Sequence, residues 1–495
     1  MSDFTELVDL AAERLGAAAV ATNDDFFASK DNLLKAAPAI FIDGKYTDRG
    51  KWMDGWESRR RRTPGHDWCI VRLGAPGVVH GVVVDTAFFK GNFPESCSIE
   101  ACSVHANADA AHLVSDAVKW FELLPKSKLL GDTKNAFDVA ARQRVTHLRL
   151  NIFPDGGVAR LRVHGRVMPD VRWMGRAGAE VDLASVENGG VVTSCNDMFF
   201  GSRHNLIMPG RGVNMGDGWE TKRSRREGPD WVIVKLAALG VLSRIEVDTA
   251  HFKGNFPESC AIQARRGDGA WQDVLPRTKL QAHTRHFYEG ELLAHEPATE
   301  VRLQIFPDGG VSRLRLWGAV TAAGREAFGI ERLNLLSAAD AERELFACCG
   351  AQAWATAMVA ARPLASLAAA QEKGRAIWSA LGKLDWLEAF RAHPRIGERK
   401  AEKAQSAAAK QWSSEEQSKA ATASAETLAA LAATNAAYDT KFGHIYIVCA
   451  TGKTADEMLA IAKGRLGNDA ATELAVAAGE QAKITDLRLE RLIKG

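Results

Sequence analysis

Phe89-Lys90-Gly91-Asn92-Phe93-Pro94-Glu95-Ser96-Cys97 returns unchanged as Phe252-Lys253-Gly254-Asn255-Phe256-Pro257-Glu258-Ser259-Cys260. Each copy follows an apolar run ending in Asp-Thr-Ala, at Asp85-Thr86-Ala87 and at Asp248-Thr249-Ala250, 163 positions later. A hydrophobic core tolerates exchange among apolar residues of similar volume. Identity across Lys, Gly, Asn, Pro and Glu therefore implies placed polar groups and a fixed backbone path.

Working outward, further blocks recur. Val8-Asp9-Leu10-Ala11 and Asn23-Asp24-Asp25-Phe26-Phe27 return as Val181-Asp182-Leu183-Ala184 and Asn196-Asp197-Met198-Phe199-Phe200, 173 positions on. Asp54-Gly55-Trp56-Glu57 returns as Asp217-Gly218-Trp219-Glu220 at 163, and Ile152-Phe153-Pro154-Asp155-Gly156-Gly157-Val158 as Ile305–Val311 at 153. The spacing is too long for a solenoid repeat and fits a duplicated domain. Its two steps of shrinkage mark segments present in the first copy and missing from the second, as surface loops tolerate. Within each copy the apolar runs are short, β-branched and often alternating: Trp68–Leu73, Val78–Asp85, Val145–Leu150 and Leu161–His164, then Trp231–Leu236, Val241–Asp248, Val301–Ile305 and Leu314–Trp317. Strands punctuated by Gly, Pro and Asp predict an antiparallel sandwich of the jelly-roll kind.

In Phe-Pro-Asp-Gly-Gly, Pro presets φ, Asp caps its own loop and the glycines admit positive φ, so turn chemistry ranks ahead of catalysis for Asp155 and Asp308. Arg160 and Arg162, with Arg313 and Arg315, sit two apart and share a strand face. They suit either a carboxylate clamp or a surface ion-pair row.

The chain has 495 residues, enough for two to four domains. Lys and Arg number 63 against 61 Asp and Glu, a net charge of +2, which gives no broad field for nucleic acid or an anionic membrane. The Arg59–Arg62 run reads as a solvated or ion-paired loop. The amino-terminal residues lack a basic segment followed by an apolar one, no apolar run reaches spanning length, and the eight cysteines form no C-x-x-C pair. These features predict a cytoplasmic protein without disulfides, and a homo-oligomer is expected.

Taken together, the repeated Asp-Gly-Trp-Glu, Asp-Thr-Ala-x-Phe-Lys-Gly-Asn-Phe-Pro-Glu-Ser-Cys and Ile-Phe-Pro-Asp-Gly-Gly-Val blocks resemble the allantoicase family over about residues 1–325. The resemblance implies two jelly-roll repeats, 1–175 and 176–325, and hydrolysis of allantoate to ureidoglycolate and urea. Such a substrate carries a carboxylate and two ureido groups on one carbon. A site for it needs a cation, acceptors for ureido N–H groups and a proton carrier. Lys90 and Lys253, or Arg59 and Lys222, are the candidate cations. Asn92, Asn255, Glu95 and Glu258 are candidate ureido readers, Asp85 and Asp248 or Glu57 and Glu220 candidate proton carriers, and Asp24 and Asp197 a further matched acid. For each, a loop-stabilising ion pair or cap is the competing role. No histidine is matched between the copies, which speaks against a shared His-based zinc site. A hard cation on matched carboxylates stays open, so divalent-metal use by the hydrolase is undecided and no metal ligand is named. His251 stands where the first copy has Phe88, which makes the second copy the more distinctive candidate for the substrate site.

From Leu333 the sequence turns Ala-rich with 3.6-residue apolar periodicity, predicting a helical domain over 333–495. Ser337 and Thr454 read as N-caps, and 401–433 as a solvated helix face. Three stretches stand out: Phe390-Arg391-Ala392-His393-Pro394-Arg395-Ile396-Gly397, Trp412-Ser413-Ser414-Glu415-Glu416-Gln417, and Asn435–Val448 followed by Gly464-Arg465-Leu466-Gly467-Asn468. A histidine at a Pro-broken helix end is expected to be exposed enough to titrate near neutrality. In this order the three resemble the decarboxylase of 2-oxo-4-hydroxy-4-carboxy-5-ureidoimidazoline (OHCU), an all-helical, cofactor-free family. That resemblance implies His393 as acid/base, with Glu416 and Gln417 reading the substrate alongside Pro394, Ser413, Ser414 and Glu415. It also implies a pocket backbone at Gly443, His444, Ile445, Tyr446, Ile447 and Val448, and Arg465 as an anion contact. At Gly443-His444-Ile445-Tyr446 the sequence departs from the family's usual aromatic-Pro-Phe after Phe-Gly.

The combined expectation is a bifunctional enzyme of purine breakdown acting on small ureides: tandem all-β jelly-roll sandwiches followed by an all-α domain. The competing one is a duplicated ligand-binding module that serves as a non-catalytic scaffold for the decarboxylase. The two activities would not be consecutive, since a ring-opening step must separate allantoin from allantoate.

Overall fold

A computed structural model describes residues 4–105, 107–224, 227–393, 412 and 424–495. It comprises two units, Met1–Arg325 and Glu326–Gly495. The first holds two antiparallel sandwiches with the same strand order.

In repeat 1 the main strands are β1 (Asp67–Asp85), β2 (Ser96–Cys102), β3 (Phe121–Lys128), β4 (Arg144–Phe153) and β5 (Arg160–Val167). They run in the order β5-β1-β4-β2-β3. Repeat 2 repeats this with β6 (Asp230–Asp248), β7 (Ser259–Arg265), β8 (Gln272–Lys279), β9 (Ala298–Phe306) and β10 (Arg313–Val320), ordered β10-β6-β9-β7-β8. The runs read as separate strands at Trp68–Leu73 and Val78–Asp85 are two halves of one strand. Its first half pairs with β4 and with Ala18–Thr22, its second with β5 and with Lys134–Asp138. Gly74-Ala75-Pro76-Gly77 lies inside this strand, between the two halves. Val82, Val84, Ile99, Leu148, Leu150 and Val163 fill the interior.

Several matched polar residues serve the fold. Asp54 accepts from the buried Arg160 guanidinium at 2.7 Å, as Asp217 does from Arg313 at 2.9 Å. The arginines are therefore neither a surface row nor a substrate clamp; they anchor the loops that precede Trp56 and Trp219. Asp155 and Asp308 accept backbone N–H bonds from Arg61 and Ser224 at 2.8 and 2.7 Å, tying down a neighbouring loop and not their own turn. Gly157 and Gly310 admit no side chain, because a Cβ at either would lie 1.9 Å from the ring of Phe89 or Phe252.

The second unit is helical: α1 (Ala322–Leu335) crosses into it, followed by α2 (Ala338–Cys349), α3 (Gln352–Ala360), α4 (Leu367–Ala380), α5 (Lys383–Arg391), α6 (Ala425–Phe442), α7 (Ala455–Arg465) and α8 (Ala470–Lys494). Ser337 caps α2 through the Asp340 N–H, and Thr454 with Glu457 forms a capping box on α7. Residues 445–450 form an extended segment between two cores. Ile445, Ile447 and Cys449 face one; Tyr446, Val448 and Ala450 face the other. Such a segment has no strand partner, so side chains meet its backbone groups. Arg465 Nη1 donates to the Ile447 carbonyl at 2.8 Å, and Glu480 accepts from the Cys449 N–H at 2.8 Å. Among the described residues no helix is long and apolar enough to cross a membrane.

Candidate functional sites

In repeat 1, a cavity of about 460 Å³ opens beside the duplicated loop, lined by Phe27, Phe41, Lys51, Met53, Glu57, Phe88, Lys90, Gly91 and Asn92. Glu57 reaches it by strand alternation. Trp56–Glu57 pairs with Gly157–Val158, Trp56 is fully buried, and Glu57 faces the other way. Asn92 Nδ2 donates to Glu57 Oε1 at 2.7 Å. Burial pushes the Glu57 carboxyl above its ordinary range, and the Asn92 amide opposes that shift in part. Phe88 adopts a positive φ of 68°, its N–H donating to Asp132 Oδ1 at 2.7 Å, and its ring stacks on Phe41 at 5.8 Å.

The cavity draws in only some of the hydrolase candidates. Asp85 and Asp248 are buried beneath the loop and accept the N–H of Ala87 and Ala250 at 2.9 and 2.8 Å, holding the turn. Arg59 is committed to Asp24 at 2.6 Å, and Lys222 to Asp197 at 3.4 Å. Burial works against ionisation of Asp24, but N–H bonds from Phe26 and Arg59 and the Arg59 guanidinium outweigh it and hold the carboxyl below its usual range. Glu95 and Glu258 lie exposed at the entry to β2 and β7; Glu95 is outside the cavity lining, and Glu258 pairs with Arg277 at 3.2 Å. Lys90 lines the cavity, its ammonium 3.9 Å from Asp132, and Lys253 is exposed.

Repeat 2 keeps the buttress, with Asn255 Nδ2 donating to Glu220 Oε1 at 2.5 Å. The space in front differs. His251, also at positive φ (72°), bonds the Gly212 carbonyl through Nε2 at 2.9 Å, and Met215 Sδ lies 3.8 Å from Asn255 Nδ2. His251 is thus engaged with the loop that precedes Trp219. What sets the copies apart is the wall carrying Phe41, Lys51 and Met53, which motif matching passed over because these residues have no counterpart in repeat 2. Among the described residues no group of three or more His, Cys, Asp or Glu stands close enough to hold a metal ion.

In the helical unit, a cavity of about 270 Å³ is lined by Leu387, Phe390, Arg391, Asp439, Gly443, His444 and Ile445. His444 packs among Phe390, Tyr438 and Phe442, with ring centroids 5.3 to 6.2 Å apart. Tyr446, Ile447 and Val448 belong to the flanking cores. His393 is buried, contrary to its expected exposure, because α8 packs over the helix end with Gln481 and Arg488. Burial first, then the Arg488 charge, hold its imidazole well below 6.5, and a Gln481 side-chain bond opposes them. Its Nε2 has no hydrogen-bond partner among the described residues. Arg465 is likewise buried: it donates to Glu473 Oε1 through Nε at 2.8 Å and to the Tyr438 hydroxyl at 3.2 Å, besides Ile447. It therefore braces the extended segment from the side. Pro394, Ser413, Ser414, Glu415, Glu416 and Gln417 lie outside the described residues, as does most of 401–433.

Comparison with known proteins adds the following. The allantoicase repeat profile matches residues 8–168 and 181–321, and the OHCU decarboxylase profile matches 334–490. A probable allantoicase of Burkholderia mallei is 50% identical over 64% of this chain and 96% of its own length. The allantoicase of Dictyostelium discoideum is 47% identical over 63% and 87%. The crystal structure of allantoicase from Saccharomyces cerevisiae is 36% identical, covering 63% of this chain and 93% of its own, with a TM-score of 0.55.

Proposed function

Given that this chain belongs to the allantoicase family through both sandwich repeats and carries an OHCU decarboxylase domain after them, we propose that its hydrolytic site is the repeat-1 cavity and that Glu57 is its proton carrier. The protein is a bifunctional enzyme of urate breakdown. One activity hydrolyses allantoate to ureidoglycolate and urea, and the other decarboxylates OHCU to (S)-allantoin.

The Glu57–Asn92 pair in the cavity carries the site assignment. In the hydrolysis, the bond between the central carbon and one ureido nitrogen breaks, water supplies hydroxide to the carbon, and its proton ends on urea. Burial raises the proton affinity of the Glu57 carboxyl, which in its protonated form donates to the departing nitrogen, and the resulting carboxylate then takes a proton from water. Asn92 fixes one oxygen and leaves the other for this traffic. The apolar faces of Phe27, Phe41 and Phe88 reduce the water that would compete for those bonds.

In the decarboxylation, the carboxylate leaves as CO2, its electron pair passes into the conjugated imidazoline, and the ring carbon is then protonated. No external electron sink is needed, so the reaction is proposed to run without a cofactor. A neutral His393 accepts the hydrogen of the substrate hydroxyl as negative charge builds.

The site assignment is tested by urea release from Glu57→Gln and Glu220→Gln in the full chain. The first is expected to lose roughly 100-fold or more in kcat, and the second to retain activity. The opposite pattern would overturn it.

A further inference from the structure

Three charged side chains line the repeat-1 cavity: Lys51, Glu57 and Lys90. Glu57 is bonded to Asn92, and Lys90 sits near Asp132 and has an exact counterpart in Lys253, so it cannot distinguish the repeats. Lys51 forms no ion pair among the described residues. Its ammonium lies 4.7 Å from the centroid of the Phe41 ring, on the wall that stacks against Phe88.

The origin of this lysine is informative. The Ile40 N–H donates to Asp54 Oδ2 at 3.1 Å and the Val213 N–H to Asp217 Oδ2 at 3.0 Å, so the flanks of the two copies correspond. Between them repeat 1 has residues 41–53, and repeat 2 has only Asn214-Met215-Gly216. The extra residues form the hairpin of Tyr46–Thr47 and Gly50–Lys51. Arg49 pins it by donating to the Phe26 carbonyl at 2.8 Å, and Lys45 packs over Trp52 at 3.9 Å. Repeat 2 thus has the same Glu–Asn pair and the same Lys-Gly-Asn loop, but its three-residue segment Asn214-Met215-Gly216 holds no lysine.

We propose that Lys51 binds the carboxylate of the ureide substrate, and that this cation, carried on an insertion, confines hydrolysis to repeat 1. The inference rests on the assignment of the repeat-1 cavity as the hydrolytic site. A carboxylate entering the cavity of the Glu57–Asn92 pair meets in Lys51 an ammonium that has no anionic partner among the described residues. Lysine suits this task, since its flexible stem lets the ammonium move from the Phe41 face onto the incoming anion.

The test uses the full chain with Lys51→Met, which keeps the stem and removes the charge, and with Lys51→Arg and Lys51→Gln. Allantoate is compared with the analogue whose carboxylate is a carboxamide, followed as a substrate or as a competitive inhibitor. Lys51→Met and Lys51→Gln are expected to lower kcat/KM for allantoate by about 10- to 100-fold, mainly through KM. Binding of the carboxamide should stay at its wild-type value, and Lys51→Arg should recover most of the loss. Equal losses for both compounds, or none in either variant, would overturn the role of Lys51. If Glu57→Gln still abolishes urea release in that case, the cavity assignment stands without it. If Glu220→Gln abolishes release instead, the assignment itself fails.

Discussion

Asp85 and Glu57 are both matched acids of repeat 1, yet burial uses them differently. Asp85 accepts a backbone N–H and holds a turn, whereas Glu57 shares one oxygen with an amide and presents the other to a cavity. The same logic applies to His147, fully buried in β4 with Nδ1 2.9 Å from Thr146 Oγ1. Burial, then the Arg72 charge, lower its pKa from 6.5 to about 4. The unfolded chain therefore takes up a proton near pH 6.5 that the folded sandwich refuses until about pH 4. The contribution of this neutral imidazole is complete above 6.5 and is lost as pH falls toward 4, on the order of 3 kcal/mol over that window. His147→Leu is expected to flatten the acid limb of the sandwich unit's stability between those values. Denaturant melts at a series of pH values would show it, and an unchanged limb would argue against the burial effect.

Among the elements, the hairpin within 41–53 matters most for function, although no motif marks it. It supplies Phe41, Lys51 and Met53 to the cavity and is held by contacts at its own edge. Replacing residues 41–53 by Asn-Met-Gly, as in repeat 2, should leave the sandwich folded because the Asp54–Arg160 anchor and the Ile40–Asp54 bond lie outside the exchanged segment. Urea release should fall to background while decarboxylation persists. Circular dichroism and both assays on the same preparation would decide it, and retained urea release would mean that the hairpin walls no substrate. In the helical unit the extended segment 445–450 plays a comparable part. Its alternate residues feed two cores, and Arg465 and Glu480 meet its backbone groups from the side. A buried guanidinium stripped of its carboxylate costs several kcal/mol, so Glu473 belongs to the scaffold of this segment.

At the scale of the whole molecule, two chemistries sit in two units of one chain and should fail separately. His393→Asn is expected to abolish decarboxylation and leave urea release intact; full decarboxylation in that variant would sink the role of His393. Because burial holds the imidazole well below 6.5, its base form persists as the medium is acidified. The pH–rate profile of decarboxylation should accordingly stay flat through pH 6.5, where an exposed histidine would have lost half its base form. A profile breaking at 6.5 would show that the imidazole is solvated during turnover.

Much of this was legible without coordinates. The duplication, the sandwich class, the change to helices near residue 333 and the two families follow from local patterns: repeated blocks, strand and helix periodicity, caps and punctuating glycines. Such patterns report what neighbouring residues require of one another. Which matched residues face a ligand is a different question, because an aspartate that caps a turn and a glutamate that lines a cavity leave the same mark in a repeat. Only the tertiary structure separated Glu57 from Asp85, buried His393 under α8, tied Arg465 to Glu473, and brought the unmatched Lys51 into the cavity of the Glu57–Asn92 pair. Burial and partner geometry depend on residues far apart in the chain, and these decide which charges the fold uses for itself and which remain for chemistry.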